Sequence, residues 1–547
     1  MSKPIPFRLP DPDAVFLHAA GTEYHYMDLY RFAAMLKKAL NDPSGESGSP
    51  PVAFRDQPGA LPPFIIASCW LLQIPFLPLA AVPDPEKENE VFRQLPAFRL
   101  LELPEQELSE QEPAESGIDN RIATEIITCP DLPESFSSQA DEDTLTGSTL
   151  ANVSDRFTTN PEETMAILQT SGTTGQPKLV PIRRSQHLDA ATASFVNHPM
   201  QTGDYWLLTL PLHHAGGVNV ILRSLLYGSA IWKTEKADTD TLSEQIRHNR
   251  KIRTVSLVPT QLKRLLDQPG FRPHSRFHGV LVGGGPISAF LLQKCRRKGV
   301  PAIASYGMTE TFGQIAVHVS ETPDGPVQPE RKQAGQPTSD REVASERHDA
   351  NQTAKELPHQ EAVTYRIFQP NRVQARTESD EPFPAGEEGL LWLKGPQLFS
   401  GYLARSPESD NPFDTDGWFN TGDYGQIVRD GIFTVGMRRT DRIVSGGENL
   451  VPAEIEEVLI QIPGILEAGV TGIPDPEWGE AAIAIVTMEK GTKLDEEALR
   501  MRLRTILPSY KIPKQIVQAK DLPKTDIGKL VRRELPGLFY KLVRSNR

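Results

Sequence analysis

Cysteine is scarce, at three in 547 residues. Cys69, Cys129 and Cys295 stand far apart, with neither metal-ligand spacing nor an even-numbered framework. A disulfide-stapled scaffold is therefore excluded, and a reducing cytoplasm is the expected compartment. Long unbroken apolar runs are missing too. The one stretch long enough to cross a bilayer, Ala60 to Val82, is cut by Pro62, Pro63, Pro75 and Pro78 into a helix-sized and a strand-sized piece, so no stable membrane insertion is expected. The opening MSKPIPFRLPDPD has no continuous apolar segment behind its charges, which predicts neither a secretory signal nor a transit peptide.

Positive charge is not in excess either. The net charge is −13, but about sixteen carboxylates against Arg121 and Arg156 crowd the region from Leu101 to Thr164, leaving the remainder close to neutral. No general affinity for nucleic acid or anionic lipid is expected, and the acidity says nothing about an active site.

What the chain has is size and alternation. A length of 547 residues exceeds what one core supports, so at least two domains are expected. A helix-period segment near Met27 to Leu40 is followed, further on, by alternating strand-like and helix-like runs. These are Tyr205 to Leu210 then Val218 to Tyr227, Thr254 to Val258 then Gln261 to Leu266, and Gly279 to Val282 then Ile287 to Lys298. Such alternation favours a mainly parallel sheet flanked by helices, with ligands at the loops beyond the strands' carboxyl ends. Two polar inserts interrupt it. Residues 101–163 read as a long loop with short apolar patches such as Ile122 to Ile127, and residues 321–385 as surface elaboration around an ordered element at Val363 to Phe368.

Glycine-punctuated β segments then follow, at Leu390 to Leu393, Phe433 to Val435 and Arg442 to Val444. From Thr440 a compact α+β unit begins. Pro452 starts a helix with Ile455, Val458, Leu459 and Ile462 on one face, strands run over Ala468 to Gly472 and Ala481 to Met488, and a helix covers Asp495 to Leu507. The expected fold class is α/β: a large N-terminal domain, 1–439, of mainly parallel sheets flanked by helices with a small β subdomain, and a small mobile α+β C-terminal domain, 440–547.

The most telling stretch is Thr170-Ser-Gly-Thr-Thr-Gly-Gln-Pro-Lys178, which follows the strand-like Met165 to Leu168. Gly172 and Gly175 let backbone N–H groups turn toward an anion, Ser171, Thr173 and Thr174 add hydroxyls, and Lys178 adds a mobile cation. It is not a Walker loop, because Lys178 is followed by Leu179 rather than Ser or Thr. A flexible linker shares this composition, so other stretches decide.

Those stretches are SYGMTET at 305–311, TGD at 421–423, RRTDRIVSGGENLVPAEIEEVL at 438–459 and PKTDIGKLVRREL at 523–535. With 170–178, in this order, they resemble the adenylate-forming acyl/aryl-CoA ligase family, whose members bind AMP. The resemblance runs from about Thr164 to Leu535 and is weaker over the first hundred residues. It implies a carboxylic acid, ATP and Mg²⁺ as reactants, an acyl-adenylate with release of pyrophosphate, and CoA as the thiol that displaces AMP.

It also implies the roles of single residues. Thr170, Ser171, Gly172, Thr173, Thr174, Gly175 and Lys178 would cradle the β- and γ-phosphates. Thr309 would donate to the α-phosphate and Glu310 would hold the metal. Tyr306 and Gly307 would lie along the adenine, and Asp423 and Arg438 would meet the ribose. Lys529 would be the adenylation lysine, reaching carboxylate and α-phosphate together. The family further implies a domain swing about Thr440, where many members carry Asp or Lys, with the loop Ser445, Gly446, Gly447 turned inward for thioester formation.

Within the family, PLHHAGGVNVILRSLLYG at 211–228, GGGP at 283–286 and SYGMTETFGQI at 305–315 are most similar to the branch that activates 2-succinylbenzoate for menaquinone synthesis. Gly216, Gly217, Gly283, Gly284 and Gly285 would leave room for a flat ring, and His214, Ser305, Thr311 and Gln314 are candidate partners for a second carboxylate. His214 would stand between the acyl pocket and the CoA tunnel. A general aryl- or medium-chain acyl-CoA ligase, an enzyme loading a carrier protein, and a binding protein on a degenerate fold are the rival readings. The oligomeric state is not legible.

Overall fold

The computed structural model describes residues 9–40, 49–95, 97–103, 125–128, 161–171, 177–234, 236–319, 363–377, 386–403, 412–438, 441–445, 448–525 and 528–545. The proline-cut run resolves as expected into the helix Leu61–Leu72 and the strand Phe76–Leu79, both buried. Pro62 and Pro63 fall in the helix's first turn, where the missing N–H costs nothing, and Gln73 ends it at φ 62. Among the described residues no helix is long and apolar enough to cross a membrane.

A six-stranded sheet is built in the order Glu125–Thr128, Arg99–Glu102, Val52–Arg55, Phe76–Leu79, Thr164–Ser171, Pro177–Arg183. All neighbours are parallel except the last pair, an antiparallel hairpin. Within 101–163 the reading as a loop is corrected at four residues, while 104–124 and 129–160 lie outside the described residues. Residues Glu125–Thr128 form an edge strand, with Ile126 opposite Leu100. Four residues are too few to display a period of two, so the strand is legible only once its partner is known.

A thirteen-stranded sheet carries the rest of the large domain. Ala302–Met308, Gly279–Val282, Ile252–Leu257, Tyr205–Leu208, Ala230–Lys233 and Val15–Ala19 are parallel in that order, closed by the antiparallel edge strand Thr22–His25. On the other side of Ala302–Met308 every pairing is antiparallel, through Gly313–His318, Thr364–Ile367, Ile432–Arg438, Phe419–Arg429, Glu388–Lys394 and Arg372–Arg376. The α/β part and the β part are thus one continuous sheet that changes character at Ala302–Met308. Helices such as Pro259–Asp267 bury Leu262, Leu265 and Leu266 against the parallel part.

From Ile443 onward the chain has its own sheet of Glu448–Leu450, Ile443–Ser445, Gly479–Met488 and Ile465–Asp475, with Gln515–Gln518 parallel to Gly479–Met488. Two apolar clusters are made only of residues from this part. The helix Pro452–Ile460 turns Ile455 and Leu459 inward, as its sequence spacing predicts. The helix expected to reach Leu507 ends at Arg504, and its cap Asp495 accepts from the Ala498 N–H at 3.0 Å.

Candidate active site

The site lies where the large sheet changes from parallel to antiparallel, the kind of crevice at which ligands gather in α/β sheets. The hairpin Thr164–Ser171 and Pro177–Arg183 presents the candidate phosphate loop at its tip, with Thr170 opposite Lys178. Gly172, Thr173, Thr174 and Gly175 lie outside the described residues, as does the side chain of Ser171. Lys178 Nζ stands 4.6 Å from the centre of the Tyr402 ring, and Tyr402 Oη donates to Glu310 Oε1 at 2.7 Å. Stem of the loop and buried carboxylate are therefore joined through one aromatic side chain.

Thr309 and Glu310 sit in a three-residue 3-10 turn, Thr309–Thr311, that follows the strand Ala302–Met308. The turn is held hard. Gln186 Nε2 and the Phe399 N–H donate to the Glu310 carbonyl at 3.1 and 2.9 Å, and Gln397 Nε2 donates to the carbonyls of Thr311 and Gln314. The Thr311 hydroxyl is spent within the turn, on Met308 and Gly313 carbonyls. Phe312 then takes φ 47, a left-handed conformation costly for a bulky residue, which the burial of its ring sustains. At Gly307 a Cβ would run into the Gly313 carbonyl, so this position is glycine because the hairpin strands approach too closely for anything else.

Across the antiparallel strands, Asp423 faces Arg438. Its carboxylate accepts from Arg438 Nε at 3.0 Å and from Tyr306 Oη at 2.8 Å, and its N–H donates to Thr421 Oγ1. Burial, and then the Asp423 charge, push the Tyr306 phenol well above its ordinary range, so it remains a donor. Burial works against the Arg438 cation, yet Asp423, Tyr306 and Glu310 hold it above its usual value. Tyr306, Asp423 and Arg438 thus form a fixed array of one acceptor pair and two donors.

Lys529 stands near enough to this array for its charges to be felt. Desolvation first and Arg438 next lower its ammonium's pKa, with Asp423 and Asp441 pulling the other way, although the residue as a whole is exposed. The turn that bears it is tied by Thr525, whose N–H donates to the Lys529 carbonyl at 2.8 Å and whose hydroxyl accepts the Lys529 N–H at 3.1 Å. Three residues on, Arg532 forks onto Glu456 and donates to the Val470 carbonyl at 2.6 Å. Thr440, Gly446 and Gly447 lie outside the described residues, and Ser445 pairs with Glu448 and Gly479 in the C-terminal sheet.

Of the acyl-pocket candidates, His214 caps the helix Ala215–Tyr227, its carbonyl accepting from Gly217 and Val218 and its ring 4.3 Å from that of His213. Ser305 donates to the Val282 carbonyl at 2.9 Å. Gln314 is 5% exposed, and among the described residues neither atom of its side-chain amide has a hydrogen-bond partner. Beside two of the candidate glycines a neighbour takes the space that a side chain would fill. A Cβ at Gly217 would strike the carbonyls of Leu210 and Pro211, and one at Gly283 would stand 2.7 Å from Ser305 Oγ. Gly217 is confined to glycine by the backbone that leads into its own helix, whereas at Gly284 and Gly285 a Cβ would meet only ordinary contacts.

Tyr402, Gln186 and Gln397 were not singled out from the sequence. The Gly401-Tyr402 pair after a strand was the available signal for the first, whereas the two glutamines sit far from the 309–311 turn along the chain and carried none.

Residues 10–403 match the AMP-binding enzyme family and residues 454–529 its C-terminal domain. The chain belongs to the AMP-binding enzyme family. It is an AMP-forming acid–CoA ligase, the class implied by the five motifs. It is 34% identical over 376 residues to the 2-succinylbenzoate–CoA ligase of Listeria monocytogenes, covering 68% of this chain and 69% of that one. To the same-named ligase of Geobacillus kaustophilus it is 35% identical over 394 residues, 71% and 72% of the two chains. Among solved structures it is similar to o-succinylbenzoate CoA synthetase from Bacillus subtilis with its acyl-adenylate intermediate, at TM-score 0.71 and 26% identity over 96% and 95% of the chains. The ATP-bound MatB of Rhodopseudomonas palustris, at TM-score 0.75 and 22% identity over 98% and 97%, shares the fold.

Proposed function

We propose that this ligase activates 2-succinylbenzoate and transfers it to CoA, in the cytoplasm, as a step of menaquinone synthesis. The acid's carboxylate oxygen attacks the α-phosphorus of ATP, the bond from that phosphorus to the bridging oxygen breaks, and pyrophosphate leaves with the electron pair. The thiol sulfur of CoA then attacks the acyl carbon, loses its proton, and expels AMP. The likeness to relatives named for this acid supports the substrate. The nearness of Lys529 to the charges of Asp423 and Arg438 supports the chemistry, since it sets a lysine of the C-terminal part beside that pair.

Two anions must be held together, and the residues divide that task. Lys178, with Ser171, Thr173 and Thr174 around Gly172 and Gly175, holds the departing pyrophosphate. Glu310 suits Mg²⁺: it is a buried carboxylate whose Oε1 is oriented by the Tyr402 hydroxyl, and phosphates and water would supply the rest of such a shell. When bound, the ion would neutralise phosphate charge. Thr309 donates at the α-phosphate, Tyr306 and Gly307 flank the adenine, and Asp423 with Arg438 orients the ribose. Lys529 spans both reactants. His214 borders the path of the CoA arm, and the unpartnered amide of Gln314 supplies polar contacts to the second carboxylate.

The test is turnover of the purified protein with ATP, Mg²⁺ and CoA on 2-succinylbenzoate, benzoate and octanoate, read as pyrophosphate release and thioester mass. Preference for 2-succinylbenzoate by a hundredfold or more is expected, on the order of what a site built for a polar group achieves. Equal turnover of benzoate or octanoate contradicts the acid, and acyl transfer only to a phosphopantetheinyl protein contradicts CoA as acceptor.

A further inference from the structure

We infer that the helix Pro259–Asp267 is the platform that positions Lys529, and that Arg264 on it, pairing with Glu467, is a positioning residue for the adenylation step. The inference rests on Lys529 being the adenylation cation.

The helix has two faces. Leu262, Leu265 and Leu266 are buried in the core of the large domain. Thr260, Lys263 and Arg264, spaced i, i+3 and i+4, share one outward face. All three meet the C-terminal part: Thr260 Oγ1 donates to the Gly528 carbonyl at 3.4 Å, Lys263 Nζ to the Leu466 carbonyl at 3.3 Å, and Arg264 Nη2 to Glu467 Oε1 at 2.7 Å. The first of these touches the residue next to Lys529.

The C-terminal strand is shaped to receive them. In Ile465–Asp475 the register slips between Ile465, opposite Met488, and Glu467, opposite Thr487, so Leu466 bulges out of the ladder. A bulge frees a carbonyl and re-aims the neighbouring side chain. Here the freed carbonyl takes Lys263 and the re-aimed carboxylate takes Arg264. Glu467 also accepts from Lys524 at 2.5 Å, and Lys524 is bridged to Leu530, so Glu467 ties the platform helix through Lys524 to the turn that carries Lys529.

The start of the helix, beside Thr260, also abuts the glycine loop. A Cβ at Gly284 would lie 3.4 Å from Val258, and one at Gly285 3.6 Å from Pro259. One short helix therefore packs on the 283–285 loop at its start and holds the lysine-bearing turn along its face.

An exposed ion pair contributes little to global stability, but here it acts on the difference between two placements of the C-terminal part, which a rate reports directly. The experiment compares Arg264→Lys, Arg264→Ala and Arg264→Glu in two assays: ATP–pyrophosphate exchange with the acid, and thioester formation from preformed acyl-adenylate and CoA. Exchange is expected to fall in the order Lys, Ala, Glu, with about a three- to tenfold loss for Arg264→Glu, while thioester formation and the melting temperature stay unchanged. Lys529→Ala is measured alongside. An inert Lys529→Ala beside an unimpaired Arg264→Glu overturns the platform role alone. An unimpaired Lys529→Ala overturns the reading of Lys529 and the platform role with it, and equal loss in both assays of Arg264→Glu makes Arg264 merely structural.

Discussion

Tyr402 and Glu310 share a hydrogen bond of 2.7 Å, and the same tyrosine ring lies 4.6 Å from the ammonium of Lys178. One side chain thus spaces the cation proposed for pyrophosphate from the carboxylate proposed for the metal. Such outer partners fix the orientation of a metal ligand. Tyr402→Phe removes the hydroxyl, keeps the ring, and leaves a buried carboxylate short of a donor. The Mg²⁺ concentration needed for half-maximal pyrophosphate exchange is expected to rise about tenfold or more. An unchanged Mg²⁺ requirement would separate Tyr402 from the metal.

Tyr306→Phe tests the pocket floor. The phenol is buried and donates to Asp423 Oδ2, so its loss strands a buried carboxylate oxygen at a cost of about 1–3 kcal/mol. The melting temperature is expected to drop and KM for ATP to rise more than kcat falls, since Asp423 is loosened rather than removed. Melting curves with and without ATP read both effects.

The alkaline limb of adenylation reports Lys529. Burial and Arg438 hold its ammonium below the ordinary lysine value of 10.5, so the folded protein binds this proton less tightly than the unfolded chain. Stability therefore rises as pH climbs from the folded pKa toward 10.5, while adenylation, which needs the charged form, declines over that same window. The profile of kcat/KM for pyrophosphate exchange should break below 10.5, and Lys529→Arg should remove the break from the accessible range.

Gly307→Ala places a methyl group against the Gly313 carbonyl at the head of the 309–311 turn. Overpacking of this kind costs about 1–3 kcal/mol or more, and here the neighbour is backbone that cannot rotate away. A lower melting temperature together with lost exchange is expected, measured by thermal unfolding and the exchange assay.

Much of this was legible in the sequence, for reasons that differ by element. The proline-cut run Ala60 to Val82 divided where its prolines said it would, and the helix Pro452–Ile460 followed its apolar spacing. These are local signals. The candidate site was legible because its five motifs, in their order along the chain, resemble those of a known family. What sequence did not show is what distant segments impose on each other. The strand Glu125–Thr128 exists through its partner Arg99–Glu102, a Cβ at Gly283 would crowd Ser305, and Gln186 supports Glu310 from 124 residues away. The edge strand within 101–163 was missed because its partner strand, not its own four residues, defines it.

The central claim is that one lysine of the C-terminal part serves the first half-reaction and is dispensable in the second. It is tested most directly by measuring, with Lys529→Ala, ATP–pyrophosphate exchange and thioester formation from preformed acyl-adenylate. The account predicts that exchange falls by about a hundredfold or more while thioester formation persists near the unmodified rate. Equal loss of both, or exchange that survives without the lysine, would contradict it.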